Sequence, residues 1–386
     1  MDIFADDIAK QAMEAINQRI RNMTTLNIVV VGKSGVGKST LINSVFRENL
    51  AETGIGRPVT QSIRCITKPD FPLAIYDTPG FELGKKQQAA VKDEVLKIIH
   101  AGNTGHDINK AIHALWYCVN VGSNRTFDES ELEWLRSFTE ENRLTRVPVF
   151  IVLTQAFPKK KAEEMKRCIE SENLEICKVC PVLAQDIDFD EEYVAKAYGL
   201  DTLIEVMGQV LPDELQDTLM NVQKVSLRAK KKRAHAAVAA AVAAAFGEGF
   251  APVPFADAAM LIPTQVAMIA SITAIFGLDV DKSVLTGFVS SALGSGGATI
   301  VGRTIATNLL KLVPNPGTIA VGGTISGATA GIVTTALGEA YILLMEQIYL
   351  GTMRAEDLTT EAGSNKLKEL LYKRRKKPLP DEGITE

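Results

Sequence analysis

Apolar and polar positions follow different patterns in the two halves of the chain. In the first half, short apolar runs rich in β-branched residues predict buried strands at 28–31, 73–76, 115–119, 147–153 and 176–183. Helical spacing of apolar residues predicts helices at about 128–141 and at 198–211. This alternation predicts an α/β domain with a mostly parallel sheet, whose ligand site lies at the carboxyl edge of the strands.

The composition of the chain changes abruptly after about residue 225. A basic cluster at 228–233 precedes a run of alanine and valine at 234–246. No ionisable residue occurs in the tracts 283–302 and 312–338. The pattern predicts an all-α domain that is rich in alanine and glycine.

Two interpretations of this helical half stay open. Gly323, Gly327 and Gly331 recur at every fourth position, a spacing that lets helices approach closely and is typical of membrane helices. The long uncharged tracts and the preceding basic cluster also favour membrane association. Asp257 and several prolines interrupt the first tract, and small residues insert weakly, which favours a soluble bundle. We expect membrane association, by interfacial or conditional insertion more than by spanning segments.

The two ends of the chain carry helical patterns of their own. Residues 2–22 predict an amphipathic helix whose apolar stripe packs on another part of the protein. A membrane-lying helix is less favoured, because its polar face mixes acids with bases. The stripe consists of Phe4, Ile8, Met13, Ile16 and Ile20. The resulting domain prediction is an amino-terminal helix at 1–24, an α/β domain at 25–215, a helical domain at 216–355 and a basic tail at 356–386.

Residues 32–39, GKSGVGKS, match the motif G-x-x-x-x-G-K-[ST] between a predicted strand and a helical pattern. In that setting the loop's backbone N–H groups surround phosphates, and the helix N-terminus favours anions. We expect Lys38 to reach the β- and γ-phosphates and the Ser39 hydroxyl to ligate Mg²⁺. The motif predicts a nucleotide-binding domain.

Two later segments suit a nucleoside triphosphate. Thr60 ends a loop rich in glycine and proline, where its hydroxyl suits Mg²⁺ and its N–H suits a γ-phosphate. Asp77 follows an apolar strand and begins the sequence DTPG, a suitable place for a carboxylate that holds Mg²⁺ through water. Gly80 ends that sequence and can bring its backbone N–H close to the γ-phosphate.

The glycine loop, Thr60 and the DTPG segment together resemble the translation-factor-type P-loop GTPases, within them the Era-like group and its immunity-related and septin-like relatives. The resemblance implies an α/β P-loop GTPase domain that binds GTP or GDP with Mg²⁺. It implies catalytic roles for Lys38, Thr60 and Gly80, and Mg²⁺ ligation by Ser39, Thr60 and, through water, Asp77. The implied nucleotide-binding residues are Gly32, Lys33, Ser34, Gly35, Val36, Gly37, Lys38, Ser39, Thr40, Asp77, Thr154, Gln155, Leu183 and Ala184.

Three departures from that family change the expectations. Phe81 stands where Ras-like relatives have the glutamine that orients the attacking water, so we expect slow hydrolysis or a group supplied by a second copy. Gly35 replaces the asparagine of potassium-dependent members, so no potassium activation is expected. Residues 154–157 read TQAF where the family has [NT]-K-x-D, so the guanine-reading aspartate is missing. The preference for GTP over ATP therefore rests only on the other motifs.

The helical half, over about residues 235–350, resembles the YcjF-like helical domain. The resemblance rests on the segments 252–257, 262–268, 275–278 and 337–341. It implies no established chemistry.

Composition sets the expected partners and compartment. The net charge of −4 and the pI near 5.8 count against a DNA or RNA partner. Five cysteines, an odd number, fit reduced thiols, and we expect Cys177 and Cys180 to be core thiols. No signal-peptide pattern opens the chain, so we expect a cytoplasmic protein at the cytoplasmic face of a membrane. Besides guanine nucleotide, candidate partners are membrane lipid and a second copy bound through the GTPase domain.

These observations support three hypotheses of function. The first is a GTP-driven switch or mechanoenzyme coupled to the helical domain. The second is a ribosome- or RNA-assembly GTPase, and the third is a nucleotide-binding scaffold with little turnover.

Overall fold

The computed structural model describes residues 3–51, 63–80, 84–104, 107–122, 129–189, 193–248, 257–293, 327–354 and 357. The chain divides into an α/β unit, Met23–Ala229, and a helical unit made of Met1–Asn22 with Lys230–Glu386. The α/β unit is therefore inserted into the helical unit, which the chain leaves and re-enters once. The predicted boundary at 215 falls earlier than the division that the structure makes.

In chain order the elements are α1 (Ile3–Arg21), β1 (Leu26–Gly32), α2 (Lys38–Val45), β2 (Arg64–Lys68), β3 (Phe71–Asp77), α3 (Gly84–Thr104), β4 (Ala114–Asn120), α4 (Glu129–Asn142), β5 (Val149–Thr154), α5 (Lys159–Ser171), β6 (Lys178–Pro181), β7 (Ile187–Phe189), β8 (Tyr193–Ala195), α6 (Leu200–Val210), α7 (Asp213–Val222), α8 (Leu227–Glu248), α9 (Asp257–Phe276), α10 (Lys282–Leu293) and α11 (Gly327–Tyr349).

Six strands form one sheet in the order β2-β3-β1-β4-β5-β6. The neighbours from β3 to β6 run parallel, and the edge strand β2 runs antiparallel to β3. The prediction of a mostly parallel sheet is confirmed. The sequence pattern did not predict β2, because this edge strand is mostly exposed and has no apolar run.

The sheet is buried on both faces, as its continuous apolar strands require. On one face, residues such as Val31, Tyr117 and Ile151 share a core with apolar side chains of α3, α4 and α5. On the other face, the Trp116 ring stacks on Phe46 with the ring centroids 5.7 Å apart. Burial on both faces fixes the strands, and the loops at their carboxyl ends are positioned with them.

The amino-terminal helix α1 packs within the helical unit against α9 and α10. Its buried face consists of Ala5, Ala9, Ala12 and Ile16. Of the predicted stripe, Ile8, Met13 and Ile20 are only half-buried and Ile16 is buried, while the side chain of Phe4 lies outside the described residues. Small alanines form the contact face because they let helix axes approach closely.

Two lysines of the predicted basic cluster make contacts within the helical unit. Lys230 is fully buried, and its ammonium donates to the carbonyls of Ile275 (3.1 Å) and Phe276 (2.8 Å) at the end of α9. Lys231 pairs with Glu346 on α11 at 2.8 Å. A cation is favourable at a helix C-terminus, so Lys230 stabilises the packing of α8 on α9.

Gly338 lies where α11 packs closely on its neighbours in the helical unit. A Cβ built there would lie 2.5 Å from Cγ2 of Val238 and 3.0 Å from Sδ of Met268. Gly338→Ala should therefore lower the free energy of unfolding by about 1–3 kcal/mol through overpacking. Urea denaturation checks this, and the double variant Gly338→Ala/Val238→Ala should recover most of the loss. No recovery would contradict a steric origin.

One of the two cysteine predictions is wrong in the structure. Cys180 is buried as expected, but Cys177 is exposed, because β6 begins only after it. Among the described residues, no helix combines the length and the apolar character needed to cross a membrane. Residues 294–326, which hold Gly323 and about half of the two uncharged tracts, lie outside the described residues.

Candidate nucleotide-binding site

The glycine loop joins β1 to α2, as the motif requires. Gly37 is the residue before α2 and has φ 95°, a left-handed conformation that favours glycine. Ser39 and Thr40 follow on the first turn of α2 and are half-buried. The loop thereby ends at a helix N-terminus, where backbone N–H groups are free to bind an anion.

Lys38 folds back over this loop and is only 9% exposed. Its Nζ atom donates hydrogen bonds to the carbonyl oxygens of Gly32 (2.9 Å) and Lys33 (3.2 Å). An ammonium in this position is a concentrated positive charge at the mouth of the loop. A bound phosphate could accept the hydrogen bonds that the two carbonyls now accept.

Asp77 ends β3 beside the glycine loop, since its backbone is paired with Val30 of β1. Its Oδ1 atom is buried and has no hydrogen-bond partner among the described residues. Burial raises the pKa of the Asp77 carboxyl, and the charges of Lys38 and Arg64 offset part of that rise. A buried carboxylate oxygen that lacks a donor fits a site for a hydrated divalent cation.

The segment after β3 is fixed against β1 and the glycine loop. The hydroxyl and the backbone N–H of Thr78 both donate to the carbonyl of Val30, at 3.0 and 3.1 Å. A Cβ built on Gly80 would lie 2.6 Å from both Cα and Cβ of Ser34. Only glycine fits here, because the backbone of this segment rests directly on the glycine loop.

The loop after β5 is attached to the same glycine loop. The buried Thr154 hydroxyl lies 2.5 Å from the carbonyl of Val36 and 3.1 Å from that of Val119. The exposed Gln155 amide lies 3.5 Å from the carbonyl of Gly35. The ends of β1, β3 and β5 therefore meet at one place on the carboxyl edge of the sheet.

Leu183 and Ala184 lie in the next loop, which is connected to the loop after β5. Ala156 donates its N–H to the carbonyl of Val182 at 3.1 Å, and its own carbonyl accepts the Tyr198 hydroxyl at 2.7 Å. Ala184 lines a cavity of 540 Å³ together with residues that include Asn43 and Lys224. The structure thus brings Leu183 and Ala184 close to the predicted base-recognition loop.

Two residues singled out by the sequence, Thr60 and Phe81, lie outside the described residues. Sequence reasoning missed two other features. The first is the ion pair between Lys33 in the glycine loop and the buried Glu131 on α4, at 3.1 Å. The second is a group of rings around Phe157. The only sequence signal for either was the phenylalanine at the position of the missing aspartate.

A glycine loop over a helix N-terminus, a buried lysine on that loop and a half-buried aspartate beside it define a P-loop nucleotide-binding domain. Comparisons with known proteins narrow this class. Residues 27–155 match the family model described as a 50S ribosome-binding GTPase. Residues 208–370 match a domain of unknown function, DUF697.

Curated relatives agree with the first match. A probable GTP-binding protein EngB from Thermoanaerobacter pseudethanolicus is 31% identical over 162 residues, which are 42% of this chain and 76% of that protein. The GTPase Era of Clostridium botulinum strain Langeland is 27% identical over 191 residues, 48% of this chain and 55% of that protein. The protein belongs to this family of P-loop GTPases.

The matches cover part of this chain and part of each relative. The chain spans about half the length of the curated Era relatives that it matches. A crystal structure of Aquifex aeolicus Era with GDP and AlF4⁻ is 18% identical, covers 55% of this chain and 68% of that one, and has a TM-score of 0.35. At that similarity the structural match adds nothing to the family assignment.

Proposed function

We propose that this protein binds Mg²⁺ and GTP in its α/β unit, hydrolyses GTP slowly to GDP and phosphate, and works as a switch or mechanoenzyme. The helical unit would respond to the nucleotide at the cytoplasmic face of a membrane. The observation that supports nucleotide binding best is the meeting of three strand-end loops around the buried Lys38. GTP, GDP and Mg²⁺ fit the family to which the chain belongs.

The proposed roles of the glycine-loop residues follow from their positions. Lys38 would donate its hydrogen bonds to β- and γ-phosphate oxygens in place of the loop carbonyls that it contacts now. Backbone N–H groups between Gly32 and Thr40 would bind the remaining phosphate oxygens. The Gly80 N–H would contact the γ-phosphate, because this segment already rests on the glycine loop.

The proposed metal site has Ser39 and Thr60 as direct ligands and Asp77 as a ligand through water. Mg²⁺, when bound, neutralises charge on the phosphate oxygens. Asp77 would accept hydrogen bonds from the metal's water molecules with its otherwise unpartnered Oδ1. Ser39, on the first turn of α2, is placed next to the phosphate-binding lysine.

Asp77→Asn is expected to weaken Mg²⁺-dependent GTP affinity about 10- to 100-fold, the usual effect of losing an outer-shell partner. It should also raise the melting temperature of the nucleotide-free protein. The reason is that burial outweighs the nearby positive charges at Asp77, so the ionised carboxylate costs stability in the folded state. Calorimetric titration with and without Mg²⁺ and differential scanning fluorimetry measure the two effects.

A matched control for this variant is Asp70→Asn. Asp70 is exposed and has a left-handed φ of 56°, a conformation that asparagine also tolerates. This control should change neither measurement. Unchanged Mg²⁺ dependence in Asp77→Asn would contradict the proposed metal role.

Slow hydrolysis is proposed because no glutamine follows the DTPG segment. Phe81 has no group that can hydrogen-bond the attacking water, so in-line attack would rely on backbone and lysine contacts alone. Phosphate release from the purified chain, compared with Lys38→Ala, tests this. Release no higher than in that variant would favour the scaffold hypothesis. A specific rate that increases with protein concentration would support a group supplied by a second copy.

Membrane coupling is proposed from the chain's connectivity and composition. The chain joins the α/β unit to the helical unit twice, at Asn22–Met23 and at Ala229–Lys230. A conformational change in the α/β unit could therefore be transmitted to the helical unit through two connections. Liposome flotation with GDP, a non-hydrolysable GTP analogue, an ATP analogue or no nucleotide tests the coupling. Flotation with a triphosphate analogue, but not with GDP or without nucleotide, supports it, and no flotation in any condition contradicts it.

A ribosome- or RNA-assembly role is the second candidate. It is favoured by the family description, which names ribosome-binding GTPases, and by the Era relatives. The acidic pI of about 5.8 counts against it. Co-sedimentation with ribosomal subunits at moderate salt, dependent on the GTP analogue, would support this candidate over the membrane proposal.

A further inference from the structure

Three aromatic side chains form a cluster in the α/β unit next to the predicted base-recognition loop. The ring centroid of Phe157 lies 5.0 Å from that of Phe189 and 6.3 Å from that of Tyr193. The Phe189 and Tyr193 rings are 6.2 Å apart. Phe189 remains 40% exposed and Tyr193 57% exposed, so much of the cluster faces solvent.

The two-stranded ribbon β7–β8 presents this cluster on one face. Phe189 and Tyr193 are directly paired across the ribbon, so their side chains point to the same side. Asp188 and Val194 are the next pair and point to the opposite side. The ribbon therefore presents both rings on the side that contacts Phe157.

Hydrogen bonds connect the cluster to the nucleotide site. Phe157 is the fourth residue of the loop whose first two residues, Thr154 and Gln155, contact the glycine loop. Ala156, which lies between Gln155 and Phe157, is hydrogen-bonded to Val182 and Tyr198. The aromatic cluster therefore adjoins the loop that contacts the glycine loop.

The chemistry of this end of the site differs from that of a guanine-reading pocket. Position 157 offers an aromatic face instead of a carboxylate. Asp186, in the adjoining loop, is already held by the Lys196 ammonium and the Ala197 N–H, both at 2.8 Å. Every nucleobase has a π-face, so aromatic rings bind bases without strong preference among them.

We propose that Phe157, Phe189 and Tyr193 form a stacking surface for the purine base of the bound nucleotide. The protein then holds the base by its face and distinguishes GTP from ATP only weakly. This inference rests on the proposed nucleotide binding at the glycine loop. It makes the aromatic cluster the base-binding part of that site.

The test is calorimetric titration of the full chain with GTP, ATP and inorganic tripolyphosphate. The wild-type affinities for GTP and ATP should agree within about tenfold. The double variant Phe189→Ala/Tyr193→Ala should lose about 5- to 150-fold in affinity for both nucleotides, the usual range when a stacking ring is removed. Its affinity for tripolyphosphate should not change, because the phosphates contact the glycine loop.

Val194→Ala, on the opposite face of the same ribbon, is the matched control and should bind all three ligands as the wild type does. A GTP preference above about 1,000-fold overturns the inference, as does unchanged nucleotide affinity in the double variant. An equal loss of tripolyphosphate affinity also overturns it, because the rings would then only support the loop. Failure of the proposed function itself is distinguishable, since Lys38→Ala would then leave tripolyphosphate affinity unchanged.

Discussion

Replacing Lys38 with alanine is expected to lower the affinity for GTP and GDP at least about 100-fold. The Lys38 ammonium is buried at the mouth of the glycine loop and now donates to two loop carbonyls. Phosphate oxygens would be stronger acceptors, and each hydrogen bond to a charged group is worth about 1.5–3 kcal/mol. Losing two such bonds corresponds to a factor of about 100 or more in the dissociation constant.

Calorimetric titration of the purified variant measures this loss. Lys68→Ala is the control, because Lys68 is an exposed lysine of the same unit, paired with Glu48 at 2.6 Å. Surface pairs contribute little, so this control should bind nucleotide as the wild type does. Retained affinity in Lys38→Ala, with normal behaviour of the control, would contradict nucleotide binding at the glycine loop.

The parts of the site that the sequence predicted are those encoded by short contiguous segments. Residues 32–39 and 77–80 each combine a strand end with a loop, so local pattern is enough to place Lys38 and Asp77 at one edge of a parallel sheet. The same reasoning placed Thr154 at the end of β5. Parallel strands bring their carboxyl ends together whatever lies between them in sequence.

The parts that the sequence did not predict depend on contacts between distant residues. Lys33 pairs with Glu131 on a helix almost a hundred positions later, and neither residue belongs to a motif that signals the other. Phe157 meets Phe189 and Tyr193 through a ribbon of two three-residue strands, too short to show an alternating pattern. Distant pairings of this kind are fixed by packing, which a local pattern cannot show.

The packed face of α1 shows a second reason why some contacts could not be predicted from the sequence. Hydrophobicity scales favour Ile8 and Met13 as contact residues, yet the buried face of the helix consists of three alanines and Ile16. Close helix packing selects small residues, and alanine adds little to an apolar stripe in the sequence. The contact residues of the helical unit are therefore harder to predict from the sequence than those of the α/β unit.

Gly80→Ala is expected to reduce the rate of GTP hydrolysis about 100-fold while leaving GDP affinity nearly unchanged. The new Cβ would lie 2.6 Å from Cα and Cβ of Ser34, which are parts of the glycine loop that cannot turn aside as a flexible side chain could. The DTPG segment would have to move by roughly 1 Å, a displacement that can cost about 100-fold in rate when it misplaces a catalytic group. GDP has no γ-phosphate and does not use the Gly80 contact.

Single-turnover phosphate release and GDP titration measure the two quantities separately. Gly208→Ala on α6 is the control, because a Cβ there would meet only Cδ2 of Leu219 at an ordinary 3.9 Å. That variant should keep both its hydrolysis rate and its GDP affinity. If Gly80→Ala hydrolyses GTP at the wild-type rate, the Gly80 N–H is not part of the catalytic site. If it loses GDP affinity as well, the clash has distorted the glycine loop as a whole, and Gly80 is required for nucleotide binding in general.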